Sequence, residues 1–120
     1  MIKEIAFTGY PAKDVAKLRS FYTERLGLKF GQPYAEDGVE KYADAQVGGG
    51  WFALITTEWA GDAPANSIAF EVDDVEKSFA DLRTAGVSVG EIHDTSVCKM
   101  GSFTDPEGNR VTLHQITVPH

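Results

Sequence analysis

The sequence predicts an α+β fold in which one strand–helix–three-strand unit is used twice. Three observations carry this reading. Short runs with two-residue apolar alternation recur along the chain. Two helical segments each begin at an Asp-Val pair, Asp14-Val15 and Asp74-Val75, and each ends at a glycine, Gly27 and Gly86. The order of elements before the polar, Gly- and Pro-bearing stretch 58–66 is repeated after it. The competing architecture is a single open α+β sheet without duplication. The halves share little residue identity, so the repeat is one of pattern.

Taken in order, residues 2–8 alternate as a strand, and Gly9-Tyr10-Pro11-Ala12 is expected to break it. Asp14 is a good helix N-cap, and Val15, Leu18, Tyr22 and Leu26 follow near helical spacing. Gly27 ends the helix, because glycine adopts the left-handed conformation that closes the last turn. Strands are expected over 28–34, 40–47 and 51–57, with turns at 35–38 and at Gly48-Gly49-Gly50. A phosphate cradle is the other use of such a glycine run, but no helix and no Lys-Ser/Thr follow, so a hairpin turn is expected. In the second half, 67–72 alternates, with Ile68, Phe70 and Val72 on one face. Asp74 caps a helix whose stripe is Val75, Phe79 and Leu82. Strands at 87–92, 97–103 and 110–118 complete it. The last two are joined through Asp105-Pro106-Glu107-Gly108-Asn109, where Pro presets one φ, Gly admits a positive one, and Asp and Asn side chains cap the turn. The expected organisation is one domain over 1–120, with module one at about 1–58, a linker at about 59–66 and module two at about 67–120.

The composition narrows the function classes. The chain has 120 residues, 42% of them hydrophobic and 24% charged, which is ordinary globular composition. Its net charge of −7, with no Lys/Arg run, argues against nucleic acid as a partner. No apolar run is long enough to span a membrane. The first residues alternate and carry Glu4, unlike a signal peptide, and the single cysteine, Cys98, rules out an internal disulfide framework. A cytoplasmic protein is expected.

Asp14-Val15, Phe21-Tyr22 and Leu26-Gly27 in the first half resemble the first-module signature of the vicinal oxygen chelate superfamily. That group includes glyoxalase I, extradiol dioxygenases and the bleomycin- and fosfomycin-resistance proteins. Ala69-Phe70-Glu71-Val72-Asp73-Asp74-Val75 and the Asp105–Asn109 turn resemble the second-module signatures, so the likeness covers nearly the whole chain. It implies two βαβββ modules in a curved, half-open mixed sheet with the helices outside. It also implies a homodimer, with the cavity formed within one chain or across two. Metal-using members place His, Gln or Glu on the first and last strands of each module, because a divalent ion needs several donors converging from rigid strands. In this sequence those positions fall at Phe7 (or Ala6 or Thr8), Ser67, Ala53 and Thr112. This is not a ligand set. No metal and no other cofactor are expected; a divalent metal would need His114, Glu71 and a further donor at displaced positions.

Reactive side chains remain on the expected cavity side. Alternation puts Thr112 and His114 opposite Val111 and Leu113, puts Cys98, Met100 and Ser102 on that same side, and puts Ser67, Ala69 and Glu71 opposite Ile68 and Phe70. His114 and Glu71 are the candidate catalytic residues, since an imidazole beside a carboxylate is a usable base near neutral pH. Thr112, Cys98, Ser67 and Trp51 are candidate substrate-binding residues. Each has a plainer reading: His114 as a hydrogen-bonded strand residue, Glu71 as a solvated one, Cys98 as a small buried hydrophobe, and most of the aromatics Tyr34, Tyr42, Trp51, Phe52 and Trp59 as core. His93 is expected in a surface loop and His120 at a mobile end. Two functions are compatible with this inventory. One is a lyase-, isomerase- or dioxygenase-like enzyme acting on a small oxygenated molecule. The other is a dimer that sequesters a small molecule without changing it. A third, plainer possibility is a dimeric interaction module.

Overall fold

The structure, a computed structural model, describes Met1, residues 3–61 and residues 68–118. Expectations that fall on Ile2, on the linker beyond Gly61, on Ser67 and on His120 lie outside these residues. The chain divides into two compact units, Met1–Ala65 and Asn66–His120. The first runs β1 (Thr8–Ala12), α1 (Val15–Leu26), β2 (Tyr34–Glu36), β3 (Val39–Val47), β4 (Gly50–Thr56) and a one-turn helix α2 (Thr57–Ala60). The second runs β5 (Ile68–Glu71), α3 (Val75–Thr84), β6 (His93–Asp94), β7 (Cys98–Thr104) and β8 (Arg110–Ile116). Each holds a four-stranded mixed sheet, in the orders β1-β4-β3-β2 and β5-β8-β7-β6, with its first strand parallel to its last. The α+β class and the duplicated βαβββ unit are therefore what the chain adopts. Among the described residues, no helix is long and apolar enough to cross a membrane.

The two long helices, α1 and α3, start in the same way. The Asp14 carboxylate accepts from the Lys17 N–H at 3.0 Å, and the Asp74 carboxylate from the Lys77 N–H at 3.0 Å. Each closes an orphan donor of the first turn. Gly27 sits at φ 71° past the end of α1 and donates back to Thr23. In the first unit Val15, Leu18 and Tyr22 bury against Tyr10, Phe52 and Leu54, with Tyr22 and Phe52 ring centroids 5.1 Å apart. In the second, Val75, Phe79 and Leu82 bury against Phe103, Val111 and Leu113. Each sheet thus turns one face to its own helix and leaves the other for different work.

Beyond shifts of one or two residues at strand ends, the boundaries differ from expectation in four places. The first strand is not 2–8; it is Thr8–Ala12, through the segment expected to break it. Pro11 is tolerated because β1 is the edge strand of its sheet, paired only with β4. Gly9 is required there, since a Cβ on it would lie 2.6 Å from the Ala53 carbonyl oxygen. The strand expected at 28–34 shrinks to a single bridge, Phe30 with Ala45, and β2 begins only after Pro33. Thr57 opens α2, capped by the Thr56 hydroxyl, where a strand was expected to end and a linker to begin. Finally, 87–92 holds only the bridge from Val89 to Phe103; the paired residues are His93 and Asp94, so His93 lies on a strand rather than in a loop.

A bulge sets the ion pair between α1 and β3. Tyr34 opposes Tyr42, but its neighbour Ala35 opposes Glu40, so Lys41 is an extra residue in β3. Strict alternation would send Glu40 to the Tyr42 face. The bulge re-aims it toward α1, where Arg19 Nε and Nη2 donate to its two oxygens, each at 2.8 Å. Those hydrogen bonds hold the Glu40 carboxyl below the usual carboxylate range, against burial, which pushes it up. A depressed carboxyl stabilises the fold above its unfolded titration range and loses that contribution as pH falls through the folded one. Arg19→Ala is accordingly expected to cost about 0.5–1 kcal/mol at neutral pH, the range for a partly exposed pair. The gap to the parent should close on acidification, as read by urea melts at about pH 7 and pH 3.

Candidate functional site

The face of the second sheet turned away from α3 collects the polar chemistry of this unit. Phe79 packs edge-on against Phe103 at 6.2 Å, which fixes Phe103, Val111 and Leu113 as the helix side. The alternate residues then point the other way. Register places Glu71 beside His114, His114 beside Met100, and Met100 beside His93, so one row crosses all four strands. The next row is Ala69, Thr112 and Ser102. A groove of about 370 Å³ opens beside these rows, lined among others by Glu91, His93, Met100, Ser102, Thr104 and Arg110.

The structure brings His114 and Glu71 together. His114 Nδ1 lies 2.6 Å from Glu71 Oε1, and the second carboxylate oxygen accepts the Ile116 N–H at 2.7 Å. A carboxylate held on both oxygens is oriented, and it holds a proton on Nδ1. In the neutral imidazole, Nε2 is then the lone-pair nitrogen. The pair is reachable by solvent: the His114 side chain is 22% exposed and that of Glu71 54%.

The other expected site residues fall differently. Thr112 is buried, and its hydroxyl shares a 2.8 Å hydrogen bond with the Ser102 hydroxyl in the row beside His114. Cys98 is buried too, and its sulfur is 3.3 Å from Thr95 Oγ1. Its register partner is Ile116, one row beyond His114. Trp51 belongs to the first unit, on β4 opposite Gln46, and is 45% exposed. Ser67 is outside the described residues. Alternation had already put Met100 and Ser102 on this face, and the same parity extends to Arg110. His93 lines the groove because the paired strand lies at His93–Asp94, past the expected 87–92; Glu91 falls within that expected strand and carried no signal for a site role.

The metal positions implied by the family resemblance are also placed. Ala53 lies opposite Gly9 on β1, and Thr112 lies opposite Ala69 on β5, so they are equivalent residues of the two units. One offers a methyl group and the other a hydroxyl bonded to Ser102. Phe7 precedes β1 and stacks edge-on against Tyr42 at 6.1 Å. Among the described residues no three His, Cys, Asp or Glu side chains converge to hold an ion. This donor set does not fit a divalent metal, which takes several hard or imidazole donors.

In the first unit, the corresponding face carries Tyr42, Asp44 and Gln46 from β3, Trp51, Ala53 and Ile55 from β4, and Gly9 and Pro11 from β1. The Tyr42 hydroxyl donates to Asp44 Oδ2 at 3.0 Å. Burial first, and that hydrogen bond second, push the Tyr42 hydroxyl above the ordinary phenol range. Tyr34 and Trp59 contact each other at 6.0 Å.

The model of the Glyoxalase/Bleomycin resistance protein/Dioxygenase superfamily matches residues 4–113. No curated protein sequence matches the chain. The fold is similar to that of lactoylglutathione lyase from Agrobacterium tumefaciens, with a TM-score of 0.77 at 18% identity over 95% of this chain and 94% of that one. It is likewise similar to TnmS3, an antibiotic binding protein from Streptomyces sp. CB03234, with a TM-score of 0.78 at 23% identity over 97% and 98%. A third likeness is to TioX from Micromonospora sp. ML1, with a TM-score of 0.76 at 18% identity over 98% and 99%. At these identities the likeness is one of fold.

Proposed function

The chain belongs to the Glyoxalase/Bleomycin resistance protein/Dioxygenase superfamily, and from that premise we propose that it handles a small oxygenated organic molecule by proton transfer at His114, without the metal used by some of its relatives. The observation that carries this reading is the 2.6 Å contact of His114 Nδ1 with Glu71 on the polar sheet face. An imidazole with Nδ1 held by a carboxylate accepts and returns a proton through Nε2. The reaction class that needs no more is proton abstraction beside a carbonyl, as in a lyase- or isomerase-like step. Thr112 and Ser102 offer hydroxyls to substrate oxygens in the adjacent row, and the groove, lined by Ser102 and by His114's row neighbour Met100 but not by His114 itself, leaves room beside the pair for the body of a small molecule. Fold alone does not transfer chemistry, so the proposal stands on this pair.

The test is solvent isotope exchange. Small 2-oxo and 2-hydroxy carbonyl compounds, S-lactoylglutathione among them, are incubated with the protein in D2O and followed by NMR. At least one is expected to lose its proton next to the carbonyl, with the rate unchanged after dialysis against EDTA. Absence of exchange in every compound, or exchange that survives His114→Ala, would sink the reading.

A second reading is favoured by a separate observation. Phe7, Tyr34, Trp51 and Trp59 of the first unit are all exposed, and exposed aromatic surface of this kind marks ligand or partner sites. On that reading the protein binds a small molecule and releases it unaltered. For either function the chain is taken as a cytoplasmic homodimer in which the two units act as one domain. The exposed Ile5, Val39 and Val118 supply apolar surface for self-association. Sedimentation at a single chain mass would remove the dimer.

A further inference from the structure

We infer that the face of the first unit's sheet turned away from α1 seats an organic cation, an alkylated ammonium carried on an aromatic or apolar body. This deepens the binding reading and rests on it only for the premise that this unit offers a ligand surface.

The Asp44 carboxylate sits half-buried in the middle of that face. Its neighbour along β3, Tyr42, donates a hydrogen bond to it at 3.0 Å. Among the described residues no ion pair joins it to a Lys, Arg or His; Arg19 and Lys41 of this unit are taken by Glu40 and Glu58. A half-buried carboxylate without a cation is a negative charge incompletely solvated, and a cation that covers it recovers that loss, whereas a neutral ligand deepens it.

The surroundings select the kind of cation. Beside Asp44 in register stand Ala53 and Gly9, which add almost no side chain. Tyr42 is two residues away on one side, with Phe7 edge-on to it at 6.1 Å. Gln46 is two residues away on the other, with Trp51 opposite it. At about 3.3 Å per residue, Tyr42 and Gln46 stand about 13 Å apart along the strand with the carboxylate between them. That span accepts a methylated ammonium group over Asp44 with aromatic rings at its flanks, and ring faces attract such cations. A metal ion would find one carboxylate and no further donors, and would keep its water. Phe7 is 46% exposed and Trp51 45%, so the walls are open to a ligand.

The experiment compares benzyltrimethylammonium with neopentylbenzene, its neutral isostere, by NMR titration of the full chain. The cation is expected to bind at least about tenfold more tightly, and added salt to narrow the gap. Asp44→Asn should bring the cation down to the affinity of the isostere and leave the isostere unchanged, while Trp51→Ala should weaken both. Equal binding of the two compounds by the parent chain, or a preference that survives Asp44→Asn, overturns the cation seat and leaves the binding reading standing. Failure of both compounds to bind overturns the two together. The comparison within the parent chain decides the matter even if the Asp44 variant does not fold.

Discussion

Gly101→Ala is expected to destabilise the second unit by about 1–3 kcal/mol, the usual cost of overpacking a core. Gly101 is buried on β7 directly under α3. A Cβ there would lie 2.5 Å and 2.6 Å from two carbons of the Phe79 ring and 3.1 Å from the Glu91 carbonyl oxygen. The Phe79 ring is fully buried and held edge-on by Phe103, so it has nowhere to swing. The size of the effect therefore depends on Phe79, and a second substitution should expose that dependence. Phe79→Leu alone leaves a void and destabilises; combined with Gly101→Ala it should cost less than the sum, because the new methyl group fills the space the ring edge left. Additive costs would mean the contact is not where the strain resides.

The same variants test whether the two units unfold together. Both tryptophans and all four tyrosines lie in the first 60 residues. Tryptophan fluorescence therefore reports the first unit alone, and far-UV circular dichroism reports both. If the chain is one cooperative domain, urea transitions by the two probes coincide in Gly101→Ala as in the parent. A fluorescence transition left in place while the dichroism transition splits would mean two independently stable units.

How much of this was legible in the sequence follows from which signals are local. Helix starts are local: Asp14 and Asp74 declare them, and each carboxylate caps the N–H three residues on. The Asp105–Asn109 turn is local too. Asp105 Oδ1 accepts from the Glu107 and Asn109 N–H groups, and Oδ2 accepts from the Asn109 side chain. Strand position is not local. Gly9 and Pro11 read as breakers by composition, yet one is demanded by the close approach of Ala53 and the other is harmless at a sheet edge. Neither fact can be known before the strand order is. The Glu71–His114 contact was within reach because alternation alone puts both on one face, and the parallel pairing of β5 with β8 then makes them neighbours. Asp44 gave no signal, since an aspartate in an alternating strand reads as a solvated residue until the rings around it are in place. The Glu40 pair was hidden for a different cause: it depends on a bulge, and a bulge breaks the parity from which faces are read.

The largest functional effect is expected at His114, where Ala should lower the exchange rate by about 10²–10⁴-fold, the usual contribution of a positioned acid–base group. Glu71 touches no substrate on this reading. It is a positioning residue, and its variants should carry a signature that a merely structural role would not. In Glu71→Gln the amide oxygen takes over the Ile116 N–H, and the amide NH2 is presented to His114 Nδ1, which must then accept rather than donate. The proton moves to Nε2 and the base is lost. In Glu71→Ala the imidazole is less well oriented but free to adopt either tautomer. The truncation to alanine is therefore expected to retain more kcat than the isosteric amide, with KM little changed in both. Glu71→Ala should add nothing once His114 is already alanine, because groups that act through one another are not additive. An equal further loss in that background would place Glu71 in contact with the substrate and end its assignment as a positioning residue.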